Sequence, residues 1–129
     1  MISYSNHNKV KEFHETYGAY ISSEPKLPDT PIRELRKSLL QEEFDEYTKA
    51  EEENDLVEIA DALGDMMYII YGTAISYGIP LDDIFHEIHS SNMSKLGEDG
   101  KPIRREDGKI LKSSNYFPPN IKEILDKHQ

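Results

Sequence analysis

The chain concentrates its acidic side chains in one short stretch, and their density there points to cation chemistry. Residues 42–65 hold 11 of the 25 Asp and Glu residues and one base, Lys49. This stretch carries a formal charge of −10, equal to that of the whole 129-residue chain, because the other 14 acids and 14 bases cancel. Carboxylate oxygens are the ligands that Mg²⁺ prefers in proteins. Such a set either binds divalent cations or forms a solvated surface.

The first half of this stretch belongs to a predicted helix over residues 32–52, which contains no Gly or Pro. At about 100° per residue, its apolar stripe is formed by Ile32, Leu35, Leu39, Leu40, Tyr47 and Ala50. Glu43 falls at the centre of that stripe, and Glu42 and Glu46 fall beside it. A buried carboxylate without a partner is costly or takes up a proton. These three side chains therefore need a compensating group.

The second half of the stretch repeats the pattern on the next predicted helix. Glu58, Asp61 and Asp65 are spaced i, i+3 and i+7 and share one face. The apolar set on this helix faces the other way and consists of Leu56, Ile59, Leu63, Met66 and Ile70. Beyond Asp65 the helix is apolar all round, so we expect both of its faces to be covered and the acidic face to run into buried surroundings.

Five carboxylates are the predicted ligands of a divalent cation, namely Glu42, Glu43, Glu46, Glu58 and Asp61. The chain has no Cys and no His near these positions, so the expected ion is Mg²⁺, with Mn²⁺ as a substitute. Asp65 is left open as a further ligand or a partner of the ligands. For the remaining acids between the two helices, Glu51, Glu52, Glu53 and Asp55, we expect solvent-exposed positions at helix ends.

The elements that position these carboxylates are mostly helical. Further helices are predicted over residues 8–20 and 81–92, the long acidic helix is expected to end near Tyr77 before Gly78 and Pro80, and Asn120 starts a short last helix. Two copies of Glu-Asp-Gly-Lys, at residues 98–101 and 106–109, predict tight turns and a small β-hairpin arm over about 98–112. The sequence thus predicts a single all-α domain over residues 1–129.

The acid spacing resembles that of a known superfamily. Glu42-Glu43-Phe44-Asp45-Glu46 followed by Glu58-Ile59-Ala60-Asp61 matches the pattern E-E-x-x-E and E-x-x-D of the all-α nucleoside triphosphate pyrophosphohydrolases, the MazG-like and phosphoribosyl-ATP pyrophosphohydrolase-like proteins. Residues 10–14, 58–72, 91–95 and 107–119 are similar to one bacterial and phage branch, which is related to dUTPases.

The resemblance implies a helical bundle completed by dimerisation, as a homodimer or a dimer of dimers, and Mg²⁺-dependent cleavage of a (d)NTP, with dUTP as a candidate, to NMP and pyrophosphate. It implies that Glu42, Glu46, Glu58 and Asp61 bind metal and that Glu43 activates water or shares a metal. It also implies three substrate contacts, Asn92, Lys95 and Lys112, and candidate base contacts at His14 and Tyr17. Many members have Glu where this chain has Ala62, which leaves the role of Asp65 open.

Three other functions remain open at the level of the sequence. Phosphoribosyl-ATP pyrophosphohydrolysis is the alternative reaction, although the segment beyond Asn92 argues against it. A metal- or nucleotide-binding module without catalysis and an acidic helical interaction module are the non-enzymatic alternatives. His86 and His89 do not form a zinc motif, because they are three residues apart and the zinc helix H-E-x-x-H requires four.

The charge and the termini exclude other partners. An acidic chain lacks the basic excess that binds nucleic acids and the basic clusters that bind acidic membranes. The first seven residues lack the features of a signal peptide, and the longest apolar run, residues 66–75, is too short to span a bilayer. We therefore expect a cytoplasmic protein whose partners are a nucleoside triphosphate and a second copy of the chain.

Overall fold

The computed structural model describes residues 5–129 and confirms an all-α fold with a small hairpin arm. The elements of this part of the chain are α1 (Asn6–Tyr17), α2 (Thr30–Glu52), α3 (Leu56–Tyr77), α4 (Leu81–Met93), β1 (Ile103–Arg104), β2 (Ile110–Leu111) and α5 (Ile121–Lys127). The prediction about a signal peptide partly concerns residues 1–4, which lie outside the described residues. Among the helices that the structure describes, none has both the length and the apolar character needed to cross a membrane.

The chain divides into two compact units, Met1–Ile79 and Pro80–Gln129. In the first unit, α3 packs against both α1 and α2. The second unit contains α4, the hairpin and α5, and α4 packs against α5. All of the acidic residues predicted to bind metal belong to the first unit.

Local caps set the ends of the two long helices of the first unit. Pro31 occupies the first turn of α2, as predicted. The side chain of Asp55 accepts a hydrogen bond from the backbone N–H of Glu58 at 3.1 Å, which starts α3. Gly78 ends α3 in the left-handed conformation, with φ 69°. A Cβ at Gly78 would lie 2.1 Å from the carbonyl oxygen of Glu24, so this position requires glycine.

The second unit contains the predicted hairpin, with Ile103 opposite Leu111 and Arg104 opposite Ile110. The glycines of the two Asp-Gly pairs, Gly100 and Gly108, both have positive φ, as the turn signals predict. Serine hydroxyls tie the segment that precedes the hairpin to the segment that follows it. The Ser91 hydroxyl donates to the carbonyl of Phe117 at 2.8 Å, and the Ser113 hydroxyl donates to the carbonyl of Leu96 at 2.7 Å.

The inward face of α2 is rotated slightly from the predicted stripe. Leu35, predicted to be part of the apolar stripe, is 54% exposed, whereas Arg36 is buried. Ile32, Leu39 and Leu40 are half-buried around it. The prediction that Leu35 lies in the core is wrong, because the buried side of α2 contains Arg36 instead of its apolar neighbour Leu35.

The apolar side of α3 is also largely exposed in the single chain. Leu56 is 78% exposed, and Leu63, Met67 and Ile70 are exposed as well. Within this chain, the expectation that both faces of α3 are covered beyond Asp65 is not met at Met67 and Ile70. It is met at the end of the helix, where residues 74–76 are buried. In the first turns of α3, Ala62 is buried, whereas the acids Glu58 and Asp61 beside it are exposed.

Candidate metal centre

The helical hairpin of α2 and α3 brings three carboxylates together. One oxygen each from Glu43 and Glu46 on α2 and from Asp65 on α3 lie within 4.8 Å of one another. The short turn at residues 53–55 makes the two helices run side by side, so that acids separated by about 20 residues become neighbours. Asp65, whose role was left open in the sequence, belongs to this cluster.

Glu43 is the most constrained member of the cluster. Its side chain is half-buried, and its Oε2 atom is buried and has no hydrogen-bond partner in the part of the chain that the structure describes. Burial raises the pKa of the Glu43 carboxyl, and the negative charges of Glu46, Asp65 and Asp61 raise it further. Among the described residues 5–129, every charge that acts on the pKa of Glu43 is negative.

Asp65 responds to the same surroundings. Burial raises the pKa of its carboxyl, and the charges of Asp61 and Glu46 act in the same direction. Two neighbouring carboxyls, on two different helices, are thus both pushed toward their protonated forms. A bound cation would reverse the sign of these interactions and favour both ionised forms.

A cavity of about 470 Å³ adjoins the cluster. Its α2 wall repeats at i, i+3, i+4 and i+7 and consists of Glu46, Lys49, Ala50 and Glu53. Its α3 wall consists of Glu58, Asp61 and Ala62. Glu46 is common to the cavity and to the cluster, so the two form one continuous acidic site. Glu53, expected to be merely solvent-exposed, is exposed but lines this cavity.

The predicted metal ligands differ in their placement. Glu46, Glu58 and Asp61 line the cavity, and Glu43 lies in the cluster. Glu42 is exposed and lies in neither group, although it is on the same flank of α2, one turn before Glu46. The assignment of all five residues as ligands stays a prediction.

The predicted substrate contacts lie in the second unit. Asn92 is exposed near the end of α4, Lys95 is half-buried, and the Lys112 ammonium lies 4.9 Å from the centre of the Tyr116 ring. That distance is typical of a cation–π contact. The role of these three residues as substrate contacts stays a prediction.

The two candidate base contacts have opposite surroundings. His14 is buried, with Nδ1 3.1 Å from the carbonyl oxygen of Tyr20, and burial lowers its pKa. Tyr17 is 73% exposed and packs on the ring of Phe13 at 4.6 Å. Neither placement tests a role in base binding.

Arg36 is a buried charged residue that the sequence reasoning missed. Its Nη2 donates to the carbonyl oxygen of Ile69 at 3.0 Å, and its Nε donates to the Thr73 hydroxyl at 3.2 Å. The signal was present, because Arg36 lies seven residues before Glu43 and therefore about 20° from it around the helix. An apolar stripe that contains Glu43 at its centre also contains Arg36.

The donor set fits a hard divalent cation. The cluster and the cavity offer carboxylate oxygens and no sulfur or imidazole, which is the set that Mg²⁺ and Mn²⁺ bind. Within residues 5–129, the buried Oε2 of Glu43 has no hydrogen bond, so a cation would supply its missing partner. The residues present therefore fit such an ion.

Comparisons with known proteins agree with this site. Residues 10–92 match the sequence profile of phosphoribosyl-ATP pyrophosphohydrolase, and this range includes every acid of the cluster and the cavity. The chain is 32% identical over 130 residues to an uncharacterized protein of Acanthamoeba polyphaga mimivirus. The alignment covers 95% of this chain and 49% of that protein, so the chain spans about half the length of this curated relative.

The fold is also similar to that of a solved protein. A crystal structure of a provisionally assigned NTP pyrophosphohydrolase from Exiguobacterium sp. 255-15 superimposes with a TM-score of 0.51 at 23% sequence identity. The match covers 96% of this chain and 93% of the other. At this identity the likeness shows a common fold.

Proposed function

The chain belongs to the phosphoribosyl-ATP pyrophosphohydrolase family, and we propose that it is a nucleoside triphosphate pyrophosphohydrolase that requires Mg²⁺ or Mn²⁺. The observation that carries this proposal is the buried Oε2 of Glu43, which has no hydrogen-bond partner among the residues that the structure describes and lies among further carboxylates. An uncompensated buried carboxylate is costly and is retained where a site uses it. A metal-bound polyphosphate is the ligand that such a site accommodates.

In this proposal the acidic residues have different roles. Glu42, Glu46, Glu58 and Asp61 hold the cations, and Asp65 is a further ligand or a partner of the ligands. Glu43 either shares a metal or accepts the proton of the attacking water as a general base.

The reaction is the addition of water across the anhydride between the α- and β-phosphates. The oxygen of water bonds to one phosphorus, the bridging oxygen stays with the other, and the proton of water passes to a carboxylate. The products are a nucleoside monophosphate and pyrophosphate. Bound Mg²⁺ would neutralise phosphate charge and lower the pKa of water. Without such neutralisation, an acidic cavity repels a polyphosphate.

The proposed substrate is a deoxynucleoside triphosphate such as dUTP, and Asn92, Lys95 and Lys112 are its proposed contacts. The similarity of residues 91–95 and 107–119 to the dUTPase-related branch supports this choice. Phosphoribosyl-ATP is the second candidate, and the name of the matching family favours it. Residues 93–129 lie outside the matched range, which favours the first candidate.

A panel of nucleotides tests the proposal. The purified protein is incubated with each of the common dNTPs and NTPs, dUTP and phosphoribosyl-ATP, with Mg²⁺, with Mn²⁺ or with a chelator. We expect monophosphate and pyrophosphate from at least one substrate, and only with a metal. Release of inorganic phosphate would contradict the reaction, and binding without turnover would favour a module that has lost catalysis.

We also propose that the exposed apolar side of α3 joins a second copy of the chain. Leu56, Leu63, Met67 and Ile70 are exposed at intervals of three, four and seven residues and form one apolar face. A face of this kind is costly in water and is typical of an interface. Light scattering should give twice the mass of the chain or a multiple of it, and Leu63→Glu should lower that mass. A monomeric wild type would contradict the proposal.

A further inference from the structure

A single lysine lines the acidic cavity of the first unit, and the function proposed above does not use it. Lys49 lies on the α2 wall between Glu46 and Glu53. Its side chain is 75% exposed, and its ammonium lies 4.0 Å from the Glu53 carboxylate, which is itself exposed. Such an exposed pair contributes little to stability. Lys49 therefore remains accessible to a ligand that enters the cavity.

Lys49 lies at a different position along the acidic site from Glu43 and Asp65. Glu43 and Asp65 lie at one end, and Lys49 lies six residues beyond Glu43, about 9 Å further along α2. Glu58, at the start of α3, lines the same end as Lys49. Lys49 thus lies in the part of the acidic site that is farther from Glu43 and Asp65, with Glu53 one turn beyond it.

The other end of the acidic row leads toward aromatic side chains. Tyr68 and Tyr71 follow Asp65 on α3 and line a separate, mostly apolar cavity of about 210 Å³. Val10 and Met67 also line it, together with one lysine, Lys9. The acidic cavity itself offers only Ala50 and Ala62 as apolar lining. A nucleoside finds aromatic surface on the side of Asp65, whereas the Lys49 end offers charge alone.

Given the proposed function, on which this step rests, we propose that Lys49 contacts the phosphates that leave as pyrophosphate. The substrate then lies along the α2–α3 hairpin with its nucleoside beyond Asp65 and its terminal phosphates beside Lys49. The Lys49 ammonium donates hydrogen bonds to their oxygens, and a charge-assisted bond of this kind is stronger than a neutral one. Lys49 is thereby a substrate-binding residue that sets the direction in which the polyphosphate lies.

Inhibition by the two products tests this orientation. Lys49→Met should raise KM for the triphosphate and the inhibition constant of pyrophosphate by about tenfold each, because one charge-assisted contact is lost. The inhibition constant of the monophosphate should stay within about twofold of the wild type. Lys49→Arg keeps the charge and should recover most of the pyrophosphate inhibition.

Lys37→Met is the matched control. Lys37 lies on the same helix, is 78% exposed and pairs with Glu34 at 3.9 Å, but it lies about 18 Å before Lys49. This variant should leave KM and both inhibition constants unchanged. The thermal midpoints of all three variants should match the wild type, which separates a contact with substrate from a structural role.

The outcomes distinguish this inference from the proposed function. If the wild type turns over and Lys49→Met leaves pyrophosphate inhibition unchanged, the role of Lys49 is wrong while the proposed function stands. If Lys49→Met weakens monophosphate inhibition instead, the orientation is wrong. If the wild type releases no pyrophosphate from any triphosphate, the proposed function fails, and the role of Lys49 fails with it.

Discussion

Arg36 and Glu43 share the inward face of α2, yet their charges meet opposite surroundings. They lie two turns apart on one helix, and both point toward α3. The Arg36 guanidinium donates to the carbonyl of Ile69 and to the hydroxyl of Thr73. Glu43 has a buried oxygen with no hydrogen-bond partner among the described residues, and it faces two further carboxylates, Glu46 and Asp65. The buried cation thus has neutral hydrogen-bond acceptors, whereas the buried carboxylate oxygen has no donor among those residues.

The difference separates a structural charge from a functional one. A buried polar group that is fully hydrogen-bonded can be retained at little cost, whereas an unpaired one lowers stability. Selection for stability alone would replace Glu43 by an apolar residue. Its presence beside like charges therefore points to a ligand, and Arg36 points to packing between α2 and α3. The predictions below test each half of this comparison.

The largest effect is expected from Glu43→Gln. The amide can neither accept a proton from water nor bind a cation as a carboxylate does, so turnover should fall by about 10³-fold or more. In a chelator the same variant should be more stable than the wild type, because an uncompensated charge is removed. Turnover assays check the loss of activity, and urea denaturation in a chelator checks the gain of stability. Glu34→Gln, an exposed change on the same helix, should alter neither turnover nor stability. A Glu43→Gln protein with activity within tenfold of the wild type would contradict the proposed role of Glu43.

A smaller effect is expected at Arg36, through its neighbour Gly72. A Cβ at Gly72 would lie 2.4 Å from Arg36 Nη2 and 2.9 Å from His14 Nε2, and both side chains are buried. Gly72→Ala should therefore destabilise the protein by about 1–3 kcal/mol, as overpacking does. Gly64→Ala is the control on the same helix, since its Cβ would meet nothing within 4 Å.

For Gly64→Ala we expect a gain of about 0.5–1 kcal/mol from helix propensity. Urea denaturation of both variants gives the comparison. Equal effects at the two glycines would show that the space beside Arg36 is not tightly filled.

The smallest effect is a pH dependence of the metal-free protein. Burial raises the pKa of Glu43 above its ordinary value of 4.5, so the folded state holds this proton more tightly than the unfolded state does. The stability that the proton contributes is fully present below pH 4.5 and is lost as pH rises through the raised pKa. Asp65, whose pKa is also raised, contributes in the same direction.

The stability difference between Glu43→Gln and the wild type, measured in a chelator between pH 4 and pH 8, should therefore grow with pH and then level off. A difference that is independent of pH, or that shrinks as pH rises, would contradict the raised pKa of Glu43.

Much of the fold was predictable from local signals. Pro31, Asp55 and Gly78 mark helix ends by chemistry that acts within a few residues, and the two Asp-Gly pairs mark the turns of the arm. The direction in which each helix faces was harder. Its apolar side chain predicts that Leu35 lies in the core, but the buried residue at this turn is Arg36.

The candidate site was predictable in its residue types but not in its grouping. The spacing of Glu43 and Glu46 on one helix and of Asp61 and Asp65 on the other could be read from the sequence. Which oxygens approach one another depends on how α2 and α3 pack, and this packing brings Asp65 rather than Glu42 beside Glu43. The place of Lys49 in the cavity depends on the same packing, so the sequence alone did not reveal it.

Manganese binding tests the central claim most directly, namely that the unpartnered Glu43 carboxylate marks a metal centre. Mn²⁺ is titrated into wild type, Glu43→Gln and Glu34→Gln and followed by electron paramagnetic resonance of the free ion, without nucleotide. We predict binding by the wild type and by Glu34→Gln, and an affinity lower by about tenfold or more for Glu43→Gln, since outright loss of a ligand weakens a metal site at least as much as loss of a supporting residue. Equal affinity in all three proteins, or no binding by the wild type, would contradict the claim.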